Sequence, residues 1–110
     1  MKTEKKLEEF TKNKSLNILE ICSRKINFEI LQLAQGKGII TNKLIDKYRI
    51  SRMPLNRRIN QLLDCGLVAR KNKKRHILIT PLGKSFLLFI EKLQKELKKH
   101  IEIKTIITLK

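Results

Sequence analysis

The chain has 110 residues, 41% of them hydrophobic and 33% charged, with a formal net charge of +16 and an isoelectric point near 10.3. That length fits one domain with one core. A positive excess this large opposes compaction and is usually held for a polyanionic partner, with nucleic acid first and a membrane surface second. No run of about 20 apolar residues is present, so no membrane-spanning helix is expected. The charged stretch 1–14 has no apolar signal-peptide core. Cys22 and Cys65 stand far apart with only His76 and His100 for company. This predicts reduced thiols, no metal site and no cofactor.

Residues 1–14 mix Lys and Glu, with Leu7 and Phe10 the only large apolar side chains, and read as a charged tail or a short helix. From residue 15 a core-facing pattern begins. Leu16, Leu19 and Cys22 have helical spacing, and Ile26, Ile30, Leu33 and Ala34 repeat at i, i+4, i+7 and i+8. Either Ser23 caps a second helix or one helix runs from 15 to 35; glycines 36 and 38 end it. Ile39-Ile40 is a minimal strand. Thr41 or Asn42 then caps a short helix with Leu44, Ile45 and Tyr48 inside. Ser51 caps the next helix, Pro54 falls in its first turn, and Leu55, Ile59, Leu62 and Leu63 form its buried stripe. Gly66 stops it.

Leu67 to Lys71 and His76 to Thr80 read as two strands around Asn72-Lys73-Lys74-Arg75. Thr80-Pro81 starts a last helix running to about His100. Along it Phe86, Ile90, Leu93 and Leu97 lie at spacings of four, three and four, a heptad seam. Leu82, Leu87 and Phe89 lie off the seam and are expected to pack on the domain. The segment 101–110 alternates at Ile101, Ile103, Thr105, Ile107 and Leu109. It reads as a strand or as a continuation of the helix. The organisation is a tail (1–14), a domain (15–80) and a C-terminal dimerisation helix with a short extension (81–110).

The segment from Ile50 to Val68, ISRMPLNRRINQLLDCGLV, resembles the recognition-helix region of winged-helix transcription regulators. ILITPLGK, from Ile77 to Lys84, resembles their second wing strand and last-helix start. The likeness covers roughly residues 24–97 and is to MarR- and PadR-type regulators. It is closer still to small archaeal winged-helix proteins that dimerise through a C-terminal coiled coil. It implies a mainly α fold with a small β-hairpin (α+β), a winged helix-turn-helix with a long C-terminal helix. One departure is Arg49, where those families often place glycine. A left-handed arginine there costs about 1 kcal/mol, and a right-handed turn would avoid it.

The resemblance places the N-terminal part of the 51–65 helix in the major groove. The candidate DNA-binding residues are Ser51, Arg52, Met53, Pro54, Asn56, Arg57, Asn60 and Gln61. Arginine forks suit guanine, Asn56 or Asn60 suits adenine, and Met53 and Pro54 suit a thymine methyl. Residues 47–63 contain no acid, unlike an ordinary solvated helix face. The hairpin cations Arg70, Lys71, Lys73, Lys74 and Arg75 are assigned to flanking phosphates or the minor groove. Phe86, Ile90, Leu93 and Leu97 are assigned to a homodimer interface that presents two reading helices to successive grooves.

The leading expectation is therefore a dimeric, sequence-specific binder of double-stranded DNA. It would be a cytoplasmic, nucleoid-associated transcriptional regulator that needs no membrane and has no evident small-molecule substrate. One alternative is a chromatin-type architectural protein with little sequence preference. Another, of a different class, is a winged-helix adaptor for acidic protein or RNA. No paired carboxylates, no nucleophile with a base nearby in sequence and no phosphate-cradling glycine loop point to an enzyme.

Overall fold

The computed structural model describes residues 2–71 and 75–109. Among the described residues eight elements follow in order: α1 (Lys2–Cys22), α2 (Lys25–Leu33), β1 (Ile39–Ile40), α3 (Thr41–Tyr48), α4 (Arg52–Asp64), β2 (Val68–Lys71), β3 (His76–Ile79) and α5 (Pro81–Leu109). The chain is mainly helical with one antiparallel sheet in the order β1-β3-β2. The described residues agree with the α+β expectation and add β1 as a third strand of the sheet.

The first helix is longer than its sequence suggested. Residues expected as a tail or a short helix join the Leu16 stripe as one helix, and Lys and Glu favour that conformation. The Thr11 and Ser15 hydroxyls donate back to the carbonyls of Leu7 and Thr11. The two helices break at Ser23-Arg24. Ser23 does not cap α2; its hydroxyl donates to the Glu20 carbonyl at 2.6 Å. The corner is held by Asn27, which is fully buried. Its amide donates to the Ile21 carbonyl at 2.9 Å and to Gln61 Oε1 at 3.2 Å, tying both α1 and α4 to α2.

The core is built from Ile30, Leu31, Ala34, Leu44, Leu55, Ile59, Leu62, Leu67 and Ile77, all fully buried. Neither Thr41 nor Asn42 caps α3. Ile40 occupies the cap position without a side-chain bond, and Thr41 is already helical. Tyr48 near the end of α3 donates its hydroxyl to Glu29 Oε2 at 2.7 Å, fastening α3 to α2. Arg49 takes the left-handed conformation, φ 49° and ψ 39°, so the right-handed alternative is not used. Ser51 sits at the N-cap of α4 with extended backbone, but its side chain makes no capping bond.

The end of α4 follows the sequence expectation closely. Gly66 has φ +79°, the Gly66 amide donates to the Leu63 carbonyl, and the Leu67 amide donates to the Leu62 carbonyl. This is the Schellman pattern, which needs a left-handed residue and so favours glycine. The chain then enters β2, which pairs with β3 in the register Val68↔Ile79, Ala69↔Leu78, Arg70↔Ile77 and Lys71↔His76. The β1 strand adds to the other edge through Ile39↔Ile77 and Ile40↔His76.

The strands, α4 and α5 meet at one junction. The Thr80 amide donates to the Leu67 carbonyl at 3.0 Å. The Thr80 hydroxyl donates to the Gly66 carbonyl and accepts from the Gly83 amide at 3.1 Å. Gly83 is buried, and a Cβ there would lie 2.3 Å from the Leu67 carbonyl oxygen. This seat fixes the rotational phase of α5. Gly83, Phe86, Leu87 and Ile90 turn inward, and Phe86 and Leu87 pack on the core. Leu82 and Phe89 are instead 49% and 52% exposed. The expected division of this helix is thus partly reversed. Phe86 serves the domain rather than a free seam, and of Leu82, Leu87 and Phe89 only Leu87 packs inward. Segment 101–109 continues the helix and is not a strand.

Two substitutions test this account. Gly83→Ala should lower stability by about 1–3 kcal/mol, because the new methyl meets backbone that cannot yield. A chemical-denaturation midpoint equal to that of the parent would remove the seat. Arg49→Gly should raise stability by up to about 1 kcal/mol through relief of the left-handed strain, and a lowered midpoint would contradict it.

Candidate nucleic-acid interface

Most of the proposed reading residues lie on one outward face of α4 and its leading end. Ser51, Arg52, Arg57 and Asn60 are exposed, and Met53 is 71% exposed. Pro54 and Asn56 are half-buried. Gln61 departs from the expectation: it is half-buried, and its carbonyl oxygen accepts from Asn27. Its position on the helix lies between the outward face and the buried stripe, and the buried amide of Asn27 draws it inward.

On the hairpin, Arg70, Lys71 and Arg75 are exposed. Lys73 and Lys74 lie outside the described residues. The strand register places Arg70 opposite Ile77, two residues from the Arg75 turn. The Arg75 carbonyl accepts from the Thr41 amide at 2.8 Å, which ties Arg75 to the start of α3. As a result α3, α4 and the hairpin share a cleft of about 320 Å³. Arg52, Arg70 and Arg75 line it together with the polar residues Thr41, Asn42 and Asn56 and the apolar Ile45. Among the described residues that line it, none is acidic. From sequence Thr41 and Asn42 are candidate helix caps and not candidate binding residues. Their spacing read only as a helix start, and their part in the cleft depends on the fold.

The C-terminal seam divides in two. Phe86 and Ile90 are half-buried against the domain, whereas Leu93 and Leu97 are each 53% exposed and Ile101 is 54% exposed. Every side chain from 91 to 105 is exposed. Glu91–Lys95 and Glu96–Lys99 ion pairs at 3.8 Å flank the stripe, and at such exposure each adds little. The N-terminal helix carries a second apolar surface. Leu7 is 60% and Phe10 59% exposed, and Ile18 and Ile21 continue their helical spacing. Between α1 and α5 runs an apolar cleft of about 290 Å³, lined by Ile18, Leu19, Leu67, Leu82, Phe86 and Phe89. The signal was legible in the 7, 10, 18, 21 spacing, but the surrounding Lys and Glu masked it.

Both cysteines are free. Burial pushes the Cys22 thiol up to about 11, with Cys65 a second cause. Cys65 is also raised, by burial first and the Asp64 charge second, partly offset by Lys14. Thiols held neutral in this way are poor nucleophiles and poor metal ligands at neutral pH. Among the described residues no group of three or more His, Cys, Asp or Glu is placed to hold a metal ion, and no helix is long and apolar enough to cross a membrane.

Comparison with protein-family models, curated proteins and solved structures finds no significant match to this chain. The reading of the site therefore rests on its own geometry and charge.

The helix that precedes the interface carries a spectroscopic reporter. Tyr48 is the only tyrosine, and there is no tryptophan. Its hydroxyl is raised from an ordinary value of 10.0 to about 12, by burial first and then by the bond and charge of Glu29. The protonated phenol is the form the fold favours. Its contribution is therefore complete below pH 10 and lost as pH rises towards 12. Absorbance of the tyrosinate should titrate near 12, and Glu29→Gln should bring the midpoint back towards 10. A midpoint at 10 in the parent chain would show that the α2–α3 bond does not form.

Proposed function

We propose that the chain is a winged helix-turn-helix protein that binds double-stranded DNA as a homodimer and acts as a sequence-specific transcriptional regulator at the nucleoid. The observation that carries this reading is the shared cationic surface. Arg52 and Asn56 of α4 line one cleft with Arg70 and Arg75 of the hairpin, and residues 47–63 contain no acid. The element order α2-β1-α3-α4-β2-β3 and the sheet order β1-β3-β2 are compatible with that architecture.

In this reading α4 enters the major groove. Arg57, Asn60 and Met53, all exposed, reach base edges, and Arg57 is the candidate for a bidentate guanine contact. Gln61 is removed from the reading set by its bond to Asn27. The hairpin supplies phosphate contacts, whose strength comes from counterion release. Leu93, Leu97 and Ile101 on the projecting part of α5 pair with the same helix of a second copy, since an isolated helix of that length gains little stability in water. Phe86 and Ile90 complete the domain instead.

A chromatin-type coating role is favoured by one observation, the net charge of +16. Competing a labelled duplex with unrelated DNA separates the two. A specificity ratio of about a thousand or more supports a regulator, and a ratio near one supports coating.

Arg57→Ala should cost about 1–3 kcal/mol of binding and relax base preference at one position. An equal loss on every DNA sequence would reduce Arg57 to a phosphate contact. Leu93→Asp should give monomers by sedimentation that bind DNA weakly, because a charge replaces an apolar contact at the centre of the pairing stripe. A dimer that persists would move the interface elsewhere, with the α1–α5 cleft as the next surface to probe.

A further inference from the structure

The cleft at the meeting of α3, α4 and the hairpin has the features of a site in its own right. Its three arginines come from three separate places in the chain: the first residue of α4, the middle of β2 and the turn before β3. Each place is fixed by the fold. Arg70 is registered opposite Ile77, the Arg75 carbonyl is bonded to the Thr41 amide, and α4 is anchored by fully buried Leu55 and Ile59. Three cationic residues around one cleft that no described acid lines favour an anion there. The guanidinium fork matches phosphate oxygens in geometry as well as charge.

Size narrows the ligand further. At about 320 Å³ the cleft sits at the small end of small-molecule sites, which begin near ~300 Å³. A bare phosphate would leave room, while a phosphate with a sugar or a second phosphate would fill more of it. Thr41, Asn42 and Asn56 offer bonding groups beyond the arginines, and Ile45 offers an apolar wall.

We propose that this cleft is a preformed site for one phosphate-bearing unit of about sugar-phosphate size, supplied either by a nucleic-acid backbone or by a free phosphorylated small molecule. The first source rests on the DNA-binding reading; the pocket itself does not. Occupation by a free phosphate compound would then exclude the backbone and couple DNA release to the concentration of that compound.

The test follows the side-chain Nε–Hε signals of the seven arginines in the full-length chain. Ribose 5-phosphate and pyrophosphate are titrated at fixed ionic strength, with chloride as the control. The Arg52, Arg70 and Arg75 signals should move and saturate, while Arg57 and Arg58 stay in place. Arg52→Gln and Arg70→Gln should each weaken saturation by about tenfold, in keeping with loss of one charge-assisted contact. Both side chains are exposed, so folding should survive either change, and Arg57→Gln should leave saturation within about twofold. Parallel drift of all seven signals, drift reproduced by chloride, or saturation indifferent to Arg52→Gln and Arg70→Gln would each overturn the site.

A labelled duplex then identifies the source. Displacement by pyrophosphate at the concentration that saturates the three signals means that backbone and free ligand share the cleft. Saturation alongside an undisturbed duplex assigns the cleft to the free ligand alone. Saturation with no duplex binding at all upholds the site and rejects the DNA-binding reading.

Discussion

The arrangement turns on a few atoms where four elements meet. The carbonyls of Gly66 and Leu67 accept from Thr80, the Thr80 hydroxyl receives the Gly83 amide, and the bare Cα of Gly83 rests on the Leu67 carbonyl. These contacts tie the end of α4 to both hairpin strands and to the start of α5. Released, α4 would keep its helical pattern but lose its angle to the hairpin, and the arginine-lined cleft would no longer be defined. The inward turn of Phe86 and Leu87 depends on the same seat, so one junction sets both the cationic surface and the orientation of the projecting helix.

The charge distribution makes sense against this framework. A net charge of +16 on so small a chain disfavours the compact state, and the fold accommodates it by keeping cations on outer faces while an almost wholly aliphatic core forms beneath. The few polar groups taken inside have structural work. Asn27 joins three helices, although its Oδ1 has no partner among the described residues. A buried acceptor left unmet is costly, and its two donor bonds, both to acceptors on neighbouring elements, are the compensation. Tyr48 and Glu29 supply a second cross-link between α2 and α3. Together these polar ties set the angles between helices whose aliphatic contacts alone would permit sliding.

The long terminal helices show how an apolar stripe changes meaning along its length. On α5 one continuous pattern serves the domain through Phe86 and Ile90 and then leaves it, so that Leu93, Leu97 and Ile101 stand in solvent. Leu7 and Phe10 on α1 are likewise exposed, and exposed apolar stripes of this kind mark interaction surfaces when contiguous. This exposure supports the dimer reading independently of the DNA reading.

The elements themselves were largely written in local sequence. The buried stripe of α4, the glycine stop at Gly66, the Thr80-Pro81 start and the two hairpin strands all follow from periodicity and turn chemistry, which act over a few residues. Caps were less legible. Thr41 and Ser51 stand at helix starts, yet neither side chain caps its helix, because cap geometry depends on how the flanking backbone is led in. Residues 101–109 show local preference overridden: β-branched alternation favours a strand, but a helix already running from Pro81 propagates more cheaply than a new strand nucleates. The sequence determined which face of α4 is cationic and that the hairpin is basic, since both depend only on residue type and period. Only the tertiary structure decided that Gln61 turns inward, that Phe86 packs against the core, and that Thr41, Asn42 and three distant arginines share one cleft. These outcomes depend on the angles between elements, which are set by contacts between residues far apart in the chain.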